Sequence, residues 1–96
     1  MRLEWLPGAL DSLERQMDYI AERNPRAAVS MGDAILAAVA GLGQYPRSGR
    51  PGRVPGTYEL VVTGTPFVVV YRIEPGAAVI LRVLHGAQQW PPRPGP

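Results

Sequence analysis

The chain has 96 residues, with ten arginines and no lysine against eight acids, one histidine and no cysteine, for a formal net charge of +2. A chain this short buries only somewhat more than ~60% of its unfolded surface, so it supports one core and not two. Without thiols and with one imidazole, disulfides, thiolate metal sites and histidine-rich metal clusters are excluded, and no cofactor or metal is expected. No apolar run reaches the roughly 20 residues of a membrane span and Met1 to Pro7 carries no signal-peptide run. A soluble, cytoplasmic protein with no membrane partner is expected.

Arg2 to Trp5 alternates charge and bulk, which suits a short edge strand. Pro7 then opens a helix in which Leu10, Leu13, Met17 and Ile20 recur at spacings of three and four. Asp11, Glu14, Arg15, Asp18 and Glu22 turn outward, and the helix runs to about Arg23. Acids near its beginning suit the helix dipole. Asn24-Pro25 stops one helix and starts another, because Asn caps well and Pro fits the first helical position. The second helix shows Ala28, Met31, Ile35, Ala38, Leu42 and Tyr45 in unbroken three-four alternation, and Pro46 is expected to end it.

Residues 47–56, with Arg47, Arg50 and Arg53 among glycines and prolines, are expected to form a loop, neither helix nor sheet. Three β-rich runs follow, Thr57 to Thr63, Phe67 to Glu74 and Ala77 to His85. Pro75-Gly76 fits a type II turn, and links this short impose antiparallel pairing. In the middle run Phe67, Val69, Tyr71 and Ile73 share one face, with Val68 and Val70 before Arg72 and Glu74 on the other. In the last run Val79, Leu81 and Val83 fall on His85's face, with Ile80, Arg82 and Leu84 opposite. Both faces are substantially apolar, whereas two helices cover only one. The second face must meet the tail, another subunit or a partner chain. The fold class is therefore α+β: a short N-terminal strand, a helical hairpin and a three-stranded antiparallel meander, with the helices on one face. Residues 1–90 form the domain and 91–96 a flexible Pro-rich tail.

Several side chains could carry chemistry or recognition. His85, beside Gly86 at a strand end, is open to acid–base work or to packing. Arg50 and Arg53 either grip phosphate or an acidic segment through the planar guanidinium or keep a loop solvated. Arg82 is either an edge-facing charge or an anchor for Glu59 or Glu74, the ion pair being preferred. Tyr71 is read as core. Trp5 and Trp90 close the ends of the sheet, and Trp90 also suits a binding hot spot.

The order of elements resembles the toxin superfamily of bacterial toxin–antitoxin modules that contains the ParE and RelE branches. The resemblance spans nearly the whole chain. It is carried by Tyr19-Ile20-Ala21, Asn24-Pro25 and Ala27-Ala28 in the hairpin, and by Pro46, Gly49-Arg50 and Gly56-Thr57 in the loop. Glu59-Leu60-Val61, Val70-Tyr71-Arg72, Ile80 to Gly86, Gln88 and Trp90-Pro91 continue it. It implies the toxin of a type II pair, neutralised by a ParD-like, ribbon-helix-helix antitoxin that lays a helix and an extended segment on it. The pair would bind operator DNA through the antitoxin.

Tyr58 stands where ParE-like sequences commonly carry arginine. The RNA-cleaving branch typically places basic side chains on the second strand and an arginine early in the third, where this chain has Glu59-Leu60-Val61 and Phe67-Val68-Val69. The cation set is thin for cleaving a phosphodiester. The leading expectation is a ParE-like protein that poisons DNA gyrase by binding, with no catalytic residue, and with Arg50, Arg53, Tyr58, Val68, Val70, Arg72, His85 and Trp90 meeting partners. The alternative is a ribosome-dependent RNA endonuclease, with Glu59 or His85 as base and acid and with Arg82 and the Arg50/Arg53 loop steadying phosphate. A third reading is a non-toxic relic that keeps only antitoxin binding.

Overall fold

The computed structural model describes residues 1–86 and 88–92. The elements are β1 (Arg2–Trp5), α1 (Pro7–Ala21), α2 (Pro25–Gly41), β2 (Arg50–Pro51), β3 (Tyr58–Val61), β4 (Phe67–Glu74) and β5 (Ala77–His85). The strands form one sheet in the order β1-β5-β4-β3-β2. The β1–β5 pair is parallel and the others are antiparallel. The chain thus leaves β1, makes the helical hairpin, and returns through β2, β3 and β4 to seat β5 beside its own beginning.

The helices cover one face. Ile35, Val39 and Leu42 meet Phe67, Val69, Tyr71, Ile80 and Val83 in a single buried cluster, with Leu13, Met17, Ile20 and Met31 packed against it. This is the three-four stripe of the sequence at work, with Leu10 as an exception that stays exposed. The first turn of α1 holds no acid, the nearest, Asp11, lying just beyond it. The Leu6 carbonyl accepts instead from the Ala9 and Leu10 amides. Between the helices the Asn24 side chain accepts from the Ala27 amide at 3.1 Å and Pro25 follows at the first helical position, as the dipeptide predicts.

Three boundaries differ from expectation. α2 ends at Gly41, not at Pro46, and Leu42 is buried from the cap position while Tyr45 is exposed. Burial of Leu42 prolongs the apolar period past the last helical residue. The loop expected to avoid the sheet contributes β2, in which Arg50 and Pro51 lie opposite Glu59 and Tyr58. Proline is tolerated there because an edge strand leaves one side of its backbone unpaired. β3 is shorter than Thr57 to Thr63 because the Val62 amide already closes the turn onto the Phe67 carbonyl.

The faces of β5 also require correction. Val70 lies opposite Arg82 but Tyr71 lies opposite Ile80, so Leu81 is an extra residue at a bulge. One inserted residue resets the alternation. Ala78, Ile80 and Val83 therefore share the helix-facing core, where strict alternation separates Ile80 from Val83. At the far end of the strand, Pro75-Gly76 forms the turn, with Gly76 at φ 74°, the positive value that the second central position of a type II turn needs.

The second face of the sheet is covered by the chain itself. Val68, Val70, Val79 and Leu84 are all buried. The loop around Arg53 and the segment 88–92 cross this side: Arg53 Nη1 donates to the Gln88 carbonyl, and Trp90 lines a cleft with Leu84. The loose tail expected over residues 91–96 lies, from residue 93 onward, outside the described residues.

Candidate functional site

Glu59 is the one charged side chain in the buried interior among the described residues. Strand alternation turns it to the face opposite the helices, and three donors meet it there. The Arg53 backbone amide reaches Oε2 at 2.8 Å, Arg53 Nε reaches Oε1 at 3.1 Å, and Arg53 Nη2 lies 3.1 Å from the same oxygen. Arg50 Nη2 stands 3.6 Å away. Burial on its own pushes the Glu59 carboxyl upward, but the Arg53 amide, the Arg53 side chain and the charges of Arg53 and Arg50 together hold it below the ordinary carboxylate value. It is an anion at neutral pH. Arg50 and Arg53 are thus engaged within the chain, gripping their own carboxylate.

A second set of bonds fixes the start of this loop. Tyr71 Oη donates to the Pro46 carbonyl at 2.7 Å and accepts from the Gly49 amide at 3.0 Å. Burial raises the Tyr71 phenol above its usual range. Gly49 has no room for a side chain, since a Cβ would lie 2.6 Å from that oxygen. Tyr58 stacks on Tyr71 with centroids 5.5 Å apart, and its hydroxyl accepts from Arg47 Nη1. The tyrosine in the place of a family arginine therefore packs, and brings an arginine from elsewhere to itself.

The anchor expected between Arg82 and Glu59 or Glu74 is not formed. Glu59 is taken by Arg50 and Arg53, and Glu74 pairs with Arg72 at 3.3 Å. Glu59, Val70 and Arg82 lie in one cross-strand row, so two strand spacings, roughly 10 Å, separate the outer pair. Arg82 turns away toward α1, where its Nη1 donates to the Leu81 carbonyl at 2.7 Å and its guanidinium fills the space beside Gly8. His85 lies opposite Phe67, their rings edge to face at 6.0 Å, on the helix side of the sheet. Glu59 is on the other side. The two side chains therefore point to opposite faces of the sheet and do not converge as a base–acid pair.

Arg82 opens on a cleft of about 340 Å³ between α1 and the segment 88–92. Ser12, Gln16, Gln88 and Trp90 line it, with Asp11 and Arg15 at its α1 wall. The cleft escapes sequence reading, because its walls are far apart in the chain. Gly8 is its one local sign: a glycine in the first helical turn with no positive φ to require it.

Residues 3–90 match the family model described as ParE toxin of type II toxin–antitoxin system, parDE. The chain belongs to the ParE toxin family. It is 42% identical over 90 residues to the candidate toxin Y4kP of Sinorhizobium fredii, covering 94% of this chain and 93% of that protein. It is 32% identical over 84 residues to toxin RelE2 of Caulobacter vibrioides, covering 88% and 93%. Among solved structures it resembles a chain of the chromosomal ParDE system of P. aeruginosa, with TM-score 0.81, 28% identity and coverage of 88% and 95%. The RelBE2 toxin–antitoxin complex of Mycobacterium tuberculosis holds a similar chain, with TM-score 0.62 and 28% identity over the same shares. The strand, helical hairpin and sheet described above are thus those of a ParE/RelE toxin fold. Among the described residues no helix is long and apolar enough to cross a membrane.

Proposed function

We propose that this ParE-family chain inhibits growth by binding DNA gyrase, without chemistry of its own, and is neutralised by a ParD-like ribbon-helix-helix antitoxin, through which the pair binds operator DNA. The observation that carries the binding mode is the division of the titratable groups: Glu59 is buried and held by its own arginines, while His85 lies on the opposite face. Partner contacts fall to exposed groups, Arg72, His85 and the outer sides of Arg50 and Arg53, and to the half-buried Tyr58 and Trp90. Val68 and Val70 are reached only when the segment over them moves, since they are 5% and 0% exposed.

Inducing the chain alone in bacterial cells tests this reading. Growth should stop, and co-expression of a ribbon-helix-helix protein encoded next to the gene should restore it. His85→Gln, which keeps size and polarity, should arrest growth as the wild type does. An arrest abolished by His85→Gln, in a variant that folds and still binds the antitoxin, would point to RNA cleavage; absence of any arrest would leave a relic.

A further inference from the structure

We propose that the cleft between α1 and residues 88–92 is an acceptor site for a single carboxylate side chain, presented by the antitoxin and gripped by Arg82. The inference deepens the antitoxin reading and rests on it. Three observations converge. Arg82 has no carboxylate partner among the described residues, and its Nη1 reaches only a carbonyl of its own strand. Trp90 lines the same cleft, and its Nε1 is buried with no acceptor among the described residues, so a ligand acceptor that reaches it would satisfy it. Gly8 leaves the room, for a Cβ there would collide with the guanidinium.

The charge count selects the ligand. Arg15 is spent on Asp11 at 2.9 Å, so among the described residues Arg82 is the charge of the cleft without a carboxylate partner. The Ser12 hydroxyl accepts from the Val83 amide and donates to the Ala9 carbonyl, and the Gln16 amide faces the Val83 carbonyl. One guanidinium, with a neutral indole lining the same cleft, matches one carboxylate. A nucleic-acid strand presents a run of phosphates and needs a run of cations, and here Asp11 would face one of those phosphates. Guanidinium and carboxylate also share a planar geometry that favours two parallel hydrogen bonds.

Gly8 supplies a test that spares the fold. Alanine is favoured over glycine in a helix, and the atom it would meet is the end of a flexible side chain. Gly8→Ala should therefore melt no lower than wild type while evicting the guanidinium. The readout is the Trp90 indole N–H resonance in the full-length ¹⁵N-labelled chain, assigned with Trp90→Phe. The blocked tripeptide acetyl-Gly-Glu-Gly-amide should shift it progressively, and acetyl-Gly-Gln-Gly-amide should not. The shift should vanish in Arg82→Gln and Gly8→Ala. No shift, an equal shift with the glutamine peptide, a shift that survives Arg82→Gln, or a stronger response to single-stranded oligothymidine would each overturn the proposal.

With the cognate antitoxin, Arg82→Gln and Gly8→Ala should each weaken binding at least ~10-fold, as expected for loss of a desolvated charge pair. Unchanged affinity would discard the cleft as the anchor and leave the antitoxin reading standing. An antitoxin that fails to bind the wild-type chain would instead remove that reading, with the peptide titration still deciding the chemistry of the cleft.

Discussion

A carboxylate buried to 1% exposure would ordinarily neutralise itself, yet Glu59 stays charged because Arg53 brings both its backbone amide and its guanidinium to it. The folded-state pKa lies below the ordinary 4.5, so as pH falls the unfolded chain takes up this proton first. Its contribution to stability is complete above that ordinary value and is lost as pH drops through the folded one. Glu59→Gln should destabilise the protein at neutral pH by about 1–3 kcal/mol, and its deficit against wild type should shrink on acidification, measured by thermal melts across the acid range. A deficit independent of pH would mean that shape, not charge, is what Glu59 supplies. Arg50, more exposed and farther away, should matter by less than about 1 kcal/mol when replaced by Ala. Tyr71→Phe removes the hydroxyl shared by Pro46 and Gly49 and should cost about 1–2 kcal/mol. That corresponds to roughly 4–8 °C in melting temperature per kcal/mol for a domain of this size. The sequence shows Arg50, Arg53 and Glu59 as charges near one another. It does not show that they bind each other, because that depends on β2 folding back onto β3.

At the scale of elements, the outer half of β5 keeps β4 on one side but has no strand on the other once β1 stops at Trp5, opposite Ile80. Helix α1 takes over the edge: the Leu6 amide donates to the Ile80 carbonyl, and Ser12 Oγ accepts from the Val83 amide at 2.9 Å. A helix side chain thus satisfies a backbone group that a strand would otherwise pair. Ser12→Ala should leave the Val83 N–H unpaired, cost about 1–3 kcal/mol, and speed hydrogen exchange at that amide above its neighbours in β4. An unchanged exchange rate would show that the edge does not depend on Ser12. The limits of β4 and β5 are legible because β-branched runs end at Gly64-Thr65-Pro66 and Pro75-Gly76. The bulge at Leu81 and the parallel β1–β5 pairing are not, since both are set by partners distant in sequence. Leu42 misleads for the same reason: the core wants its side chain, whether or not the helix reaches it.

For the whole molecule, the two-faced apolar sheet gives a specific lesson. The pattern of Val68, Val70 and Leu84 correctly signals that the second face needs cover. The cover comes from the chain's own loop and the segment 88–92, so burial there does not itself demand a partner. What remains displayed is the cleft beside Arg82 and a rim of exposed charge. His85, the residue most suggestive of catalysis in the sequence, packs against Phe67 away from Glu59. A gyrase reaction tests the proposed inhibition by binding directly. Purified protein added to gyrase, ATP and supercoiled DNA should raise the amount of cleaved DNA, His85→Gln should do the same, and stoichiometric antitoxin should suppress it. No rise in cleaved DNA across physiological salt, together with cutting of messenger RNA on ribosomes, would contradict the account.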